Sequence, residues 1–353
     1  MEPLAVVTRG NYIESLHHGY VCIVNSAGNI VYSLGDYNTR IFFRSSAKPI
    51  QAIPLLQSGA ADALGFSKKE IAVACSSHSG DIIHQKTVKD ILERIGLDEG
   101  NLHCGTMNPY SEVELKRLLA NGESPSVFHC SCSGKHTAML ALAIFRSLSV
   151  DDYQKLSNPV QQEILKTVAV FTDVKVESIS IGTDGCGAPI YLLPIYNIAL
   201  AYAKLSEYAQ DKNSPYHYSC KTIFDSMTQH PEMVAGENEF CTELMRATGG
   251  KLIGKVGSEA VYCLGIKEGN LGVCIKIADG NERAVYPVVI QILRDIGTLE
   301  KSELENLEHW NNIILNNNLN EETGRIMPCF DIKSSEKSQL SIGDRISNKG
   351  FKT

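Results

Sequence analysis

No stretch of this sequence stays apolar for the roughly 20 residues that a helix needs to cross a bilayer. The N-terminal stretch, Met1 to Arg9, has no basic segment leading into an apolar core and a cleavage site, so no signal peptide is read there. Basic charge is in deficit. The chain carries 33 Lys and Arg against 40 Asp and Glu, a net charge of −7 and a pI of about 5.8. Nothing in that balance draws the protein to nucleic acid or to an anionic membrane. A small anionic substrate is still allowed, provided specific cations in its pocket hold it. Paired cysteines are also missing. There are 11, an odd number, and Cys22, Cys263 and Cys274 lie inside apolar runs. That usage suits buried thiols in a reducing compartment, and the expectation is a cytoplasmic protein without a disulfide framework.

What is present is an ordinary globular composition, 43% hydrophobic and 21% charged over 353 residues. A chain of this length buries most of its apolar surface without covalent staples. It fits one large domain or two intimately joined ones. Short apolar runs at Ala5–Thr8, Tyr20–Asn25 and Asn29–Leu34 read as strands, the last two joined through Ser26-Ala27-Gly28. Pro49–Gln57 reads as a helix opened by its proline and kinked or ended near Pro54. Ser67-Lys68-Lys69-Glu70 has capping-box spacing, and Ile71–Cys75 after it reads as a buried strand.

Helical periodicity marks Asp81–Ile95, Glu112–Ala120, Lys135–Phe145, Pro159–Val168, Pro194–Leu205 and Glu282–Ile296. Val174–Ile181 alternates like a strand. Gly257–Gly265 and Leu271–Ala278 form a hairpin pattern about Glu268-Gly269-Asn270. The polar, weakly patterned tail after Asn316 reads as a surface extension. The predicted fold class is therefore α/β (α+β), a largely antiparallel sheet with helices packed on it. Residues 1–315 form one compact unit, or two intimately joined subdomains, and 316–353 form a C-terminal extension.

Five segments carry chemistry. Arg44-Ser45-Ser46-Ala47-Lys48-Pro49 is a Ser-x-x-Lys at the head of a helix. A serine and a lysine three apart share one turn, and a lysine with a lowered pKa can activate the hydroxyl. In isolation the same pattern is a capped helix with an exposed lysine. Cys75-Ser76-Ser77-His78-Ser79-Gly80-Asp81 is a hydroxyl-rich loop before a strong helix, either functional or a polar cap. Cys130-Ser131-Cys132-Ser133-Gly134-Lys135-His136-Thr137 fails as a phosphate-binding loop, because His129 stands where the first glycine is needed and His136 where Ser or Thr is needed. Its cysteines, lysine and histidine suit metal or substrate binding as well as they suit inert burial. Gly182-Thr183-Asp184-Gly185-Cys186-Gly187-Ala188-Pro189 sets a carboxylate and a thiol on a tight turn. Gly254-Lys255-Val256-Gly257 holds a lysine entering an apolar strand, ordinarily a surface position.

In this order the segments resemble the Rhizobium etli-type (class 3) L-asparaginases, also called the asparaginase II family. The likeness begins at Arg9-Gly10, Glu14-Ser15 and His18-Gly19, takes in His230-Pro231-Glu232-Met233-Val234-Ala235-Gly236, and runs to about Gly297. The resemblance implies a serine β-lactamase/glutaminase-like fold, a homodimer, and hydrolysis of L-asparagine to aspartate and ammonia. By position it implies Ser45 with Lys48 and Ser77 with Lys255 as catalytic pairs. It implies Cys132, Lys135 and Cys186 as zinc ligands, with Arg44, His136 and Asp184 around the substrate. The zinc would orient substrate and would not generate the nucleophile. Two positions depart from the family pattern: Met107 stands where a histidine is usual, and Gly257-Ser258-Glu259-Ala260 replaces the usual Gly-Ala-Glu-Gly. Ser45, activated through Lys48, Ser77 and Lys255, is the expected nucleophile, with Ser77 left open as the other choice. The oxyanion would be held by backbone amides near Ser45 or Ser77. The rival readings are a glutaminase or related ω-amidase, a β-lactamase-like acyl-transferase, and a non-catalytic zinc or thiol sensor on the same fold.

Overall fold

Runs that are apolar at every position form strands with both faces covered. In the computed structural model, which describes residues 1–332, these are the middle of the largest sheet. The strands in chain order are β1 (Glu2–Arg9), β2 (Tyr12–Asn25), β3 (Ile30–Leu34), β4 (Arg40–Phe42), β5 (Ser180–Thr183), β6 (Pro189–Pro194), β7 (Leu252–Gly257), β8 (Val261–Ile266), β9 (Leu271–Ile277), β10 (Ile313–Asn316) and β11 (Glu322–Pro328). Eight of them make one sheet in the order β10-β11-β1-β2-β9-β8-β7, with β3 also paired to β2. Its pairings are antiparallel throughout, so the expected fold class is the observed one. β8 is buried at all six positions. The helix Ile195–Tyr208 lies across β2, β8 and β9, and the helix Val285–Asp295 packs on β1, β8, β9 and β11. Gly272 permits the first of these contacts: a Cβ there would fall 1.9 Å from the Ala199 carbonyl oxygen.

A smaller sheet, β4-β6-β5, brings Arg40–Phe42 beside the hairpin that holds the Asp184 turn. The chain between β4 and β5 is mostly helical. Within it, Ser133–Phe145 packs on Lys68–Ala74, and Lys68–Ala74 packs on the later helix His217–Gln229. Gly134 sets the closeness of the first pair, since a Cβ on it would fall 2.2 Å from the Val73 carbonyl oxygen. That contact fixes how near the loop after Ala74 comes to the loop before Ser133.

Several expectations change. Ile71–Cys75 is not a strand; it completes the helix Lys68–Ala74. The capping box forms, with Glu70 accepting from the Ser67 amide at 2.7 Å, and the run is uniformly apolar because helices enclose it. Val174–Ile181 holds a 3₁₀ turn at Val176–Ser178, and its strand starts only at Ser180. The strand expected from Gly257 starts at Val261, after Glu259 and Ala260 turn through φ of 65° and 56°. Ala260 thus occupies a left-handed position where the resembled family usually writes glycine. The break in Pro49–Gln57 falls at Ala52, between the helices Lys48–Gln51 and Ile53–Gln57. The sheet also runs past Asn316: β11 pairs with β1, and its inward residues alternate with half-buried ones, Thr323, Arg325 and Met327, on its other face. The tail from 333 onward lies outside the described residues. Among the described residues, no helix is long and apolar enough to cross a membrane, and all 11 cysteines are buried and outside any disulfide.

Gly134→Ala is expected to lower stability by about 2–4 kcal/mol, through overpacking against Val73. Gly185→Ala, whose Cβ meets nothing within 4 Å, is expected to stay within about 0.5 kcal/mol. Urea midpoints of the two variants at unchanged slope test this; equal midpoints would refute the close-packing argument.

Candidate active site

Ser77 leaves the C-terminal end of the helix Lys68–Ala74 and enters a space walled by two lysines. Lys48 donates to the Ser77 Oγ at 2.9 Å, to the Ser76 carbonyl at 2.6 Å and to the Ser131 carbonyl at 3.4 Å. Lys255, projecting from β7, lies 2.9 Å from the same Oγ and donates to the Val256 carbonyl at 2.7 Å. Lys48 is 1% exposed and Lys255 is fully buried. Burial, with the charge of Lys48 second, pulls Lys255 down to about 7. A neutral Lys255 has a lone pair that can accept the Ser77 proton, while Lys48 holds the oxygen from the other side.

Ser45 sits one residue after Arg44, which takes φ +49° as β4 gives way to the Arg44–Ala47 turn. Gly257 presses on this turn, since a Cβ there would fall 3.1 Å from the Ser46 amide nitrogen. Ser45 and Ser77 line one cleft of about 260 Å³. The expected pairing of Ser45 with Lys48 is not a hydrogen bond among the described residues; the Lys48 ammonium is directed at Ser77. The Ser77 amide donates to the Val234 carbonyl at 2.9 Å, so it is not a free oxyanion donor. The same bond explains what the His230–Gly236 motif does physically, since its backbone anchors the serine.

Beside this centre stands a second cluster. The ligand atoms of Cys132, Asp184 and Cys186 lie within 4.8 Å of one another. Lys135 donates to the Cys186 Sγ at 3.2 Å. Contacts with Cys130 and Cys186 hold the Cys132 thiol well below its ordinary range, and contact with Cys132 raises Cys186. Burial opposes the charge of Lys135, but Cys132, Cys186 and Asp184 outweigh it and raise the group above the ordinary lysine range. Two thiols and a carboxylate this close together could hold a metal ion. The geometry thus brings Asp184, expected at the substrate, into the donor cluster. Lys135 lies against it as an ammonium and would have to lose a proton to ligate.

Arg44 pairs with Asp184 at 3.2 Å. The Arg44 Nε and the His136 Nε2 are buried without a hydrogen-bond partner. The other ring nitrogen of His136 lies 2.6 Å from the Tyr153 hydroxyl, whose oxygen accepts from the His103 amide. When that hydroxyl donates to Nδ1, Nε2 is the protonated nitrogen and faces no acceptor. Burial first, and Lys135 second, keep this imidazole well below its ordinary pKa. Arg44 and His136 both belong to the set that the resemblance places around the substrate.

Met107 occupies the position where the resembled family has histidine, and its sulfur accepts from the Ser131 amide at 3.5 Å. Glu239, Glu282, Tyr110 and Tyr286, all lining the cleft, carry no local motif that sequence reasoning could use. The Arg9, Glu14 and His18-Gly19 likeness lies in the β1–β2 hairpin, where Arg9 pairs with Glu14 at 3.0 Å and Gly19 lets β2 approach Lys276.

The sequence model of the L-asparaginase II family matches residues 5–328. No curated protein matches the chain. Among solved structures, the chain is similar to a protein of Bacteroides dorei DSM 17855 described as a candidate beta-lactamase. The identity is 13% and the TM-score 0.43, over 78% of this chain and 93% of that one. With a family match that spans nearly its whole length, the chain belongs to the L-asparaginase II family.

Proposed function

We propose that this protein hydrolyses L-asparagine to L-aspartate and ammonia through a serine nucleophile. The observation that carries the reading is the Ser77 hydroxyl held at 2.9 Å by each of two buried lysines. Burial first, and the neighbouring Lys48 second, leave Lys255 neutral and basic near pH 7. Ser45 attacks the side-chain amide carbon, and its proton passes through Ser77 to Lys255. Lys255 hands that proton to the amide nitrogen, the carbon–nitrogen bond breaks to release ammonia, and water cleaves the acyl-enzyme to aspartate. Ser77 suits the relay role because both sides of its oxygen are already engaged, whereas the Ser45 hydroxyl is free to turn into the cleft.

Arg44 and the His136 Nε2 proton bind the substrate carboxylate, and Asp184 receives its amino group. A zinc ion held by Cys132 and Cys186, with Lys135 or Asp184 as further donor, would supply positive charge that orients the substrate. Either choice fits a site whose nucleophile is activated elsewhere. Glutamine is a competing substrate on the same machinery, since one methylene is worth only about 1–3 kcal/mol of discrimination. Homodimer formation and a cytoplasmic setting are part of the same proposal, and rest on the resemblance and on thiol usage.

Ammonia release from asparagine and glutamine, with and without added zinc, tests the reaction. Ser45→Ala is expected to lose about 10³-fold or more in kcat. Ser77→Ala, mixed with substrate and weighed as intact protein, is expected to retain a slow acyl adduct that Ser45→Ala never forms; the reverse pattern would make Ser77 the nucleophile. Absence of ammonia from both amides under every metal condition would refute the proposal.

The pH dependence follows from Lys255. Protonated below about pH 7, it cannot accept a proton, so kcat/KM should fall about tenfold per unit as pH drops below 7 and level off above. For stability, Lys255 is charged in the unfolded chain up to 10.5 but in the folded one only to about 7. Its burial cost is thus fully present below pH 7 and disappears as pH rises towards 10.5. Lys255→Arg fixes a positive charge there and removes the base. It should lose roughly 10²–10⁴ in rate together with the acid limb; a limb that persists in this variant would assign the titration to another group.

A further inference from the structure

The cleft beside the two serines is large and carries the wrong charge for the carboxylate end of asparagine. It holds about 260 Å³, whereas departing ammonia needs no more than a water, roughly 30 Å³. Arg44, His136, Asp184 and the thiols of the donor cluster do not line it, so it opens on another side of Ser45 and Ser77. Its polar walls are Glu239, Glu282, Tyr110 and Tyr286. Glu239 is half-buried and Glu282 stands at the rim, near enough that the two carboxylates repel each other. Neither has an ion-pair partner among the described residues, and Lys255, whose influence reaches Glu282, is turned to Ser77 and the Val256 carbonyl. Two carboxylates and two phenol rings around one space form a set that binds an ammonium group and repels an anion.

We propose that this cleft receives the leaving amine, and that the substrates include β-amides of L-aspartate whose nitrogen bears an ammonium-carrying alkyl group. The inference rests on the amidohydrolase reading and extends it. In the first step the bond from Ser45 Oγ to the amide carbon forms and the carbon–nitrogen bond breaks. The amine takes the proton that Lys255 received and departs as an alkylammonium between Glu239 and Glu282. One water then hydrolyses the ester to aspartate. No other reactant is consumed.

Four substrates share one readout, L-aspartate formed by the purified protein: L-asparagine itself and its N-aminoethyl, N-propyl and N-carboxymethyl derivatives. The aminoethyl amide is expected to exceed the propyl amide in kcat/KM by roughly tenfold, from two weak carboxylate contacts and one aromatic one. The carboxymethyl amide should be the poorest. Glu239→Gln and Glu282→Gln should each reduce the aminoethyl-to-propyl ratio by about threefold. Equal rates for the aminoethyl and propyl amides, or asparagine as the sole substrate, would overturn the inference and leave the asparaginase reading intact. Turnover of the aminoethyl amide without turnover of asparagine would uphold it and replace the primary substrate. Silence from all four would remove both.

Discussion

Everything at this site depends on two buried lysines sharing one serine hydroxyl. Two ammonium ions cannot both be held near a single oxygen in a dry interior, because desolvation and mutual repulsion act together. Burial, with the charge of Lys48 second, pulls Lys255 down to about 7 and makes it the base. Lys48 donates to two carbonyls besides the hydroxyl, those of Ser76 and Ser131. The two carbonyls come from separate loops, one following the helix Lys68–Ala74 and one preceding the helix Ser133–Phe145. Gly134 lets the second helix rest on the Val73 carbonyl, which brings those loops close. A packing constraint between helices thus helps to position the carbonyls that hold Lys48.

The adjacent cluster continues the same electrostatic arrangement. Against its burial, Lys135 is held above the ordinary lysine range by Cys132, Cys186 and Asp184, and Arg44 pairs with Asp184. The Arg44 Nε and the His136 Nε2 are both buried without a partner, and a carboxylate would satisfy such donors. The raised pKa of Lys135 then decides the order of events, since the amine can join the donors only once a cation has displaced its proton.

Part of this arrangement is legible in the sequence, and the rest is hidden for identifiable reasons. Helices with one exposed face, such as Ile82–Arg94 and Glu112–Asn121, are readable to within a residue or two, because polar residues mark their outer side. Ile71–Ala74 reads wrongly as a strand, since enclosure on every side erases the periodicity that separates helix from strand. β11 is obscured by the opposite effect, one half-buried face diluting its apolar pattern. At the site, the order of the motifs picks out Ser45, Lys48, Ser77 and Lys255, and the last three are hydrogen-bonded together. That Lys48 serves Ser77, two loops away, is not readable from Ser-x-x-Lys spacing, which predicts the neighbour on its own turn. Glu239 and Glu282 are invisible for a simpler reason: single carboxylates in ordinary surroundings become chemistry only when the fold faces them across a cleft.

That fold gives the site a direction. On the side of the β5–β6 turn lie Arg44, Lys135 and the orphan donors, an environment short of one anion. On the side of the cleft lie Glu239 and Glu282, an environment short of one cation. Ser45 and Ser77 stand between them. A zwitterionic or oppositely charged amide entering such a field has one orientation in which both ends are satisfied and one in which both are repelled. In the satisfied orientation the scissile nitrogen faces the carboxylates, and the leaving amine departs towards them with its ammonium group already in place. The charges that orient the substrate therefore also draw the departing group away from the ester.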